Sequence, residues 1–111
     1  GYREFKGAFA ENYVLQSLST QSTANLRYWT SNNSAEVDFL LQYDTHILPI
    51  EVKSGKSTSS RSLTLYNADK HPILRIRYSD KELKLDDNLL NIPLYMADWT
   101  FALLDRVIVS L

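Results

Sequence analysis

The stretch 35-AEVDFLLQYDTHILPIEVKS-54 decides the fold. Apolar residues alternate along both of its arms: Val37, Phe39 and Leu41 on the first, Leu48, Ile50 and Val52 on the second. A period of two is the mark of a strand with one face in a core. Asp44-Thr45 separates the arms, and so short a break closes a β-hairpin. The predicted strands are 35–43 and 46–54. Folding about that turn sets Tyr43 opposite His46, Leu41 opposite Leu48 and Phe39 opposite Ile50. On the same count Asp38 faces Glu51 and Glu36 faces Lys53. Pro49 lacks a backbone donor and weakens the pairing beside it.

Outward from the hairpin, the N-terminal side predicts a helix over 3–19, with Phe5, Ala8, Phe9, Leu15 and Leu18 at helical spacing. The polar loop 20–25 then leads to a short strand at 26–30, LRYWT. On the C-terminal side, 55-GKSTSS-60 offers several helix N-caps for a helix over 59–69. Pro72 follows it, and PILRIRYS at 72–79 predicts the next strand. DKELKLDDN (80–88) is a charged turn with a short strand. IPLYMADW (92–99) begins extended, and 97–111 ends as an apolar helix that Asp98 is expected to cap. Trp99 and Phe101 are expected to pack that helix. A meander of strands followed by a crossover helix and another strand predicts a mixed α/β sandwich on one central sheet.

The 111 residues predict one domain, 1–111. At 44 % apolar and 23 % charged residues, the balance is that of ordinary soluble proteins. The formal net charge of −1 gives no general attraction to nucleic acid, so such a partner would need local charge. The absence of cysteine excludes disulfides and thiolate zinc sites. No apolar run reaches the roughly 20 residues of a membrane span, and the start carries no signal-peptide pattern. A cytoplasmic protein with no membrane partner is the expectation. The chain starts at Gly1 rather than Met, which suggests a domain excised from a longer protein with a tag remnant.

Gly55-Lys56-Ser57 imitates the end of a phosphate-binding P-loop. The first glycine of that motif would fall at position 50, which is Ile50. Glu51 stands where backbone N–H groups would have to cradle a phosphate. No nucleotide is expected to bind in this domain.

The hairpin carries the stronger constellation. Asp38 and Glu51 face each other with Cβ atoms about 4.5–5.5 Å apart in such a pair, and like charges so placed repel. A shared proton, the neighbouring Lys53 or a divalent cation would each relieve them. Oxygen donors suit Mg²⁺ or Mn²⁺. In that reading Asp38, Glu51 and the Val52 carbonyl hold the metal and Lys53 assists an attacking water. Glu11, on the apolar stripe of the first helix with Ala8, Leu15 and Leu18, approaches from the helix side. In the competing reading, Asp38, Glu51 and Lys53 form a cross-strand salt-bridge ladder on a solvated face, and Glu11 is a helix-surface carboxylate.

FKGAFAENYVLQSL (5–18), LRYWTSNNSAEVDFLL (26–41) and ILPIEVKSGK (47–56) resemble the PD-(D/E)XK nuclease-like superfamily. More narrowly, they resemble the domain of unknown function found C-terminal to the ATPase module in many bacterial and archaeal AAA-type ATPases. The resemblance covers about residues 5–66, and the IPLYMADW tail more loosely. It implies a three-layer α-β-α restriction-endonuclease-like core with a C-terminal strand and helix extension. It also implies Mg²⁺- or Mn²⁺-dependent cutting of DNA. Asp38 matches the acidic residue of the second strand, Glu51 and Lys53 the (D/E)-x-K pair, and Glu11 the helical glutamate. The implied partner is the N-terminal ATPase module of the same chain. The alternative is a regulatory module that binds DNA or protein without hydrolysis. Lys56, Arg61, Arg75 and Arg77 are the candidates for phosphate contact, Arg75 and Arg77 sharing one strand face. An exposed apolar side of the last helix would mark a partner surface or a homodimer contact.

Overall fold

The computed structural model describes residues 2–21, 26–28, 39–55 and 60–111. The elements run α1 (Tyr2–Gln21), β1 (Leu26–Tyr28), β2 (Phe39–Tyr43), β3 (His46–Val52), α2 (Arg61–Lys70), β4 (Arg75–Ser79), β5 (Lys84–Asp86) and β6 (Leu89–Pro93). A 3-10 helix (Leu94–Trp99) and α3 (Thr100–Ser110) complete them. The strands form one sheet in the order β1-β2-β3-β4-β6-β5. β1, β2 and β3 are the antiparallel meander; β3, β4 and β6 run parallel; β5 returns antiparallel on β6.

The hairpin register is the one its sequence predicts: Tyr43 pairs with His46, Leu41 with Leu48 and Phe39 with Ile50. Asp44 takes φ 56° at the turn, a left-handed conformation that aspartate tolerates better than most residues. Asp87 repeats the device at φ 53° between β5 and β6. Asp38, Glu36 and Val37 lie outside the described residues, as does Lys56.

Alternation sorts the strands onto two faces. Phe39, Leu41, Leu48, Ile50, Val52, Ile76, Tyr78, Leu90 and Ile92 pack with Ala10, Val14 and Leu18 of α1 and Leu104 of α3. On the other face Leu63 and Tyr66 of α2 pack with Leu40 and Leu89. Helices therefore cover both faces of a mixed α/β sheet, and the larger core lies under α1 and α3.

Three expectations need correction. The buried stripe of α1 is Ala10, Val14, Ser17 and Leu18, whereas Ala8 is exposed and Phe9 is 66 % exposed. Polar ties fix that rotation of the helix. Ser17 Oγ donates to Asp98, and Gln21 Nε2 donates to the Ala97 carbonyl at 2.8 Å. Asp98 is thus spent on α1 and does not cap α3, whose N-cap residue is Trp99. Trp99 is 62 % exposed instead of packed, because the 3-10 helix turns it outward; Phe101 does pack, with its ring 5.9 Å from that of Tyr43.

His71 ends α2 at φ 51°, its N–H donating to the Asn67 carbonyl at 3.1 Å, and Pro72 bars continuation. Gly55 leaves β3 at φ 97°, a conformation suited to glycine.

Candidate functional site

The carboxyl ends of the parallel strands lie together at Val52, Ser79 and Pro93. In open α/β sheets the crevice beyond such ends is where ligands bind. Glu51 is the penultimate residue of β3. Its neighbours Ile50 and Val52 belong to the core under α1, so its side chain points to the α2 face. Lys53 carries the parallel pairing one residue further, its N–H donating to the Tyr78 carbonyl at 2.8 Å.

Glu51 is 6 % exposed. Lys53 Nζ lies 2.8 Å from its Oε1. Its Oε2 is buried with no hydrogen-bond partner among the described residues. A buried charged acceptor left in that state costs on the order of 1–3 kcal/mol or more. Lys53 itself is about one-third exposed, so the pair stands at the mouth of the crevice rather than in the core.

The α2 face continues sideways as a row across four strands. Glu51 pairs with Arg77, Arg77 with Asn91, and Asn91 with Lys84. Asn91 is 3 % exposed and is the hub of this row. Its Oδ1 accepts from Arg77 Nε at 2.9 Å and from Ser79 Oγ at 2.6 Å. Its Nδ2 donates to the carbonyls of Lys81 at 3.1 Å and Glu82 at 2.9 Å. Arg77 Nη1 reaches Ser60 Oγ at 2.9 Å, which ties the start of α2 to β4.

Arg75 has a different surrounding from the one its spacing suggests. It is 8 % exposed, and its Nε and Nη2 donate to Asn88 Oδ1 at 2.9 and 2.7 Å. Burial lowers its pKa from the ordinary arginine value, opposed by Asp87. In this arrangement it braces the β5–β6 turn. Arg61 is exposed at the first position of α2.

Glu11 is half-buried at the border of the α1 core stripe. Gly7, one turn earlier on the same face, comes close enough to β3's exit that an added Cβ would lie 3.7 Å from Ser54 Oγ. The helix face that carries Glu11 therefore runs past the loop that follows Lys53. Asp38 and Lys56 lie outside the described residues, and among those described no three His, Asp or Glu residues gather in metal-binding geometry.

Asn88, Asn91, Ser60 and Ser79 escaped the sequence reading. Asn91 had a signal: it is the polar member of an otherwise apolar LLNIP strand. Asn88 reads as an ordinary turn residue, and its role on Arg75 emerges only from the sheet order.

A model of the family described as "Domain of unknown function (DUF4143)" matches residues 6–96. The chain belongs to this family. No curated protein matches it. The DUF4143 match runs from α1 to the 3-10 helix, so it takes in the Glu51–Lys84 row and the β5–β6 hairpin. Among the described residues no helix of this DUF4143 domain is long and apolar enough to cross a membrane.

Proposed function

We propose that this domain is a metal-dependent phosphodiesterase of the PD-(D/E)XK nuclease-like kind, acting on DNA and joined to an AAA-type ATPase module. The observation that carries this reading is the Glu51 carboxylate: one oxygen held by Lys53, the other buried and unsatisfied. A hard divalent cation takes oxygen ligands of this kind, and no described residue hydrogen-bonds this one. Asp38, Glu51 and the Val52 carbonyl would hold Mg²⁺ or Mn²⁺, with Glu11 in support. When bound, the ion lowers the pKa of a water ligand and polarises a phosphate.

Lys53 supplies the chain's own chemistry. Its ammonium is fixed by Glu51 and partly open to solvent, so it can donate to a non-bridging phosphate oxygen and orient the attacking water. Water oxygen bonds to phosphorus and gives up one proton to solvent, the bond to the leaving sugar oxygen breaks, and that oxygen takes up a proton. Helices on both faces of a meander-plus-crossover sheet agree with a restriction-endonuclease-like layering. The test is cleavage of plasmid and oligonucleotide DNA in Mg²⁺ or Mn²⁺ by wild type and Lys53→Ala. Cutting by wild type alone, with both proteins folded by circular dichroism, supports the reading; equal rates overturn it.

A second reading draws on other observations. Tyr95 is 80 % and Trp99 62 % exposed, and Arg75 and Arg77 are braced by internal amides. These favour a regulatory module that docks a protein and performs no hydrolysis. Stable association with the ATPase module, lost on Trp99→Ala and without DNA cleavage, would support it.

A further inference from the structure

The segment that follows β4 borders an open groove of about 630 Å³ beside the Arg77–Asn91 row. Arg77, Lys81, Lys84, Asp80, Glu82 and Asn91 line it. The groove is built rather than incidental. Asn91 pins the carbonyls of Lys81 and Glu82, and Ser79 Oγ accepts from the Lys81 N–H at 3.1 Å. The same amide orients Arg77 through Nε. Glu51, Arg77, Asn91 and Lys84 form one row across β3, β4, β6 and β5, so the groove continues directly from the Glu51–Lys53 pair. Neighbouring strands are about 4.8 Å apart, which puts the far end of the row roughly 14 Å from Glu51.

We propose that this groove seats a backbone phosphate one or two nucleotides from the scissile one, held by Lys81 and Lys84 with Arg77 at its floor. The nucleic-acid identity of the ligand rests on the phosphodiesterase reading. The charge pattern narrows the contact. Lys81 and Lys84 stand among the carboxylates Asp80 and Glu82, which would repel a long run of phosphates and restrict the contact to one or two. A pre-oriented guanidinium and a pinned loop lose little freedom on binding, which favours a specific contact over a diffuse one. Lys81 and Lys84 are exposed, so their removal leaves the sheet intact.

The test is binding of labelled single-stranded and duplex DNA oligonucleotides by fluorescence anisotropy, in EDTA, over a range of salt. Working without metal separates this inference from hydrolysis: binding here, with no cutting in the Mg²⁺ or Mn²⁺ cleavage assay, would overturn the phosphodiesterase reading and leave the groove standing as a nucleic-acid contact. The expected result is affinity lowered about tenfold in Lys81→Ala/Lys84→Ala, with the salt slope reduced by about 1–2. The Lys81→Arg/Lys84→Arg variant should bind like wild type. Unchanged affinity and slope in the alanine variant, or no binding by wild type at low salt, would overturn the proposal.

Discussion

Lys53 Nζ lies 2.8 Å from Glu51 Oε1, two residues back on the same strand face, and no described group reaches the second oxygen of that buried carboxylate. The pair is therefore half a salt bridge and half an unmet demand. Lys53→Met removes the cation and leaves the carboxylate buried. Breaking a fully buried pair costs about 3–5 kcal/mol, whereas an exposed pair contributes about 1 or less. With Lys53 one-third exposed, a loss of about 1–2 kcal/mol is expected in urea titration. Glu51→Gln should cost less, because a neutral amide is less costly to bury than an unpaired carboxylate.

Asn91 joins three segments by four hydrogen bonds. Asn91→Ala leaves Arg77 Nε, Ser79 Oγ and two loop carbonyls to find water. At about 0.5–1.5 kcal/mol for each bond, with partial recovery by solvent, a loss of about 2–3 kcal/mol is expected. Hydrogen exchange should quicken at residues 80–84 more than in β3. Uniform quickening would contradict the pinning role.

Two glycines should respond with opposite signs. Gly7 lies inside α1 and has room for a methyl group, the closest atom being Ser54 Oγ at 3.7 Å. Gly7→Ala should stabilise the domain by about 0.5–1 kcal/mol through helix propensity. Gly55 has nothing within 4 Å but sits at φ 97°. Gly55→Ala should destabilise by about 1–2 kcal/mol through backbone strain alone. Thermal denaturation of both variants measures the contrast.

Tyr78 is fully buried under α3, and its hydroxyl meets Thr100 Oγ1 at 2.7 Å. Thr100 Oγ1 donates to the Ala97 carbonyl, so the tyrosine hydroxyl is the donor of that pair. Burial pushes the Tyr78 pKa well above the ordinary tyrosine value. The folded state thus holds the neutral phenol while the unfolded chain ionises near about pH 10. The stability from this group is whole below that pH and is lost as pH climbs above it. Tyr78→Phe should cost about 1 kcal/mol at neutral pH and make the alkaline decline shallower. An equally steep decline in the variant would contradict this account.

Much of the sheet was legible because its signal is local. The period-two arms of 35–54 and the Asp44-Thr45 break specify the hairpin to the residue from Phe39 to Ile50. The pairing of Glu51 with Lys53 follows from the same period. The rotation of α1 was not legible, because Phe9 and Ala8 satisfy helical spacing as well as Val14 and Ala10 do. The choice is made by Ser17 and Gln21 reaching the 3-10 helix some 80 residues away. Charge at Arg75 and Arg77 was visible in the sequence; the amides of Asn88 and Asn91 that hold them were not, because they arrive from β6 and its turn. The helix crossing α2 was placed within about two residues, its end marked by Pro72.

The central claim is that the second oxygen of Glu51 belongs to a divalent cation. Calorimetric titration of Mn²⁺ into wild type and Glu51→Gln tests it most directly, with circular dichroism as the control for folding. The account predicts saturable one-to-one binding by wild type that the variant loses while keeping its fold. No binding by wild type, or equal binding by both proteins, would contradict it and leave Glu51 and Lys53 as an ion pair at the mouth of the crevice.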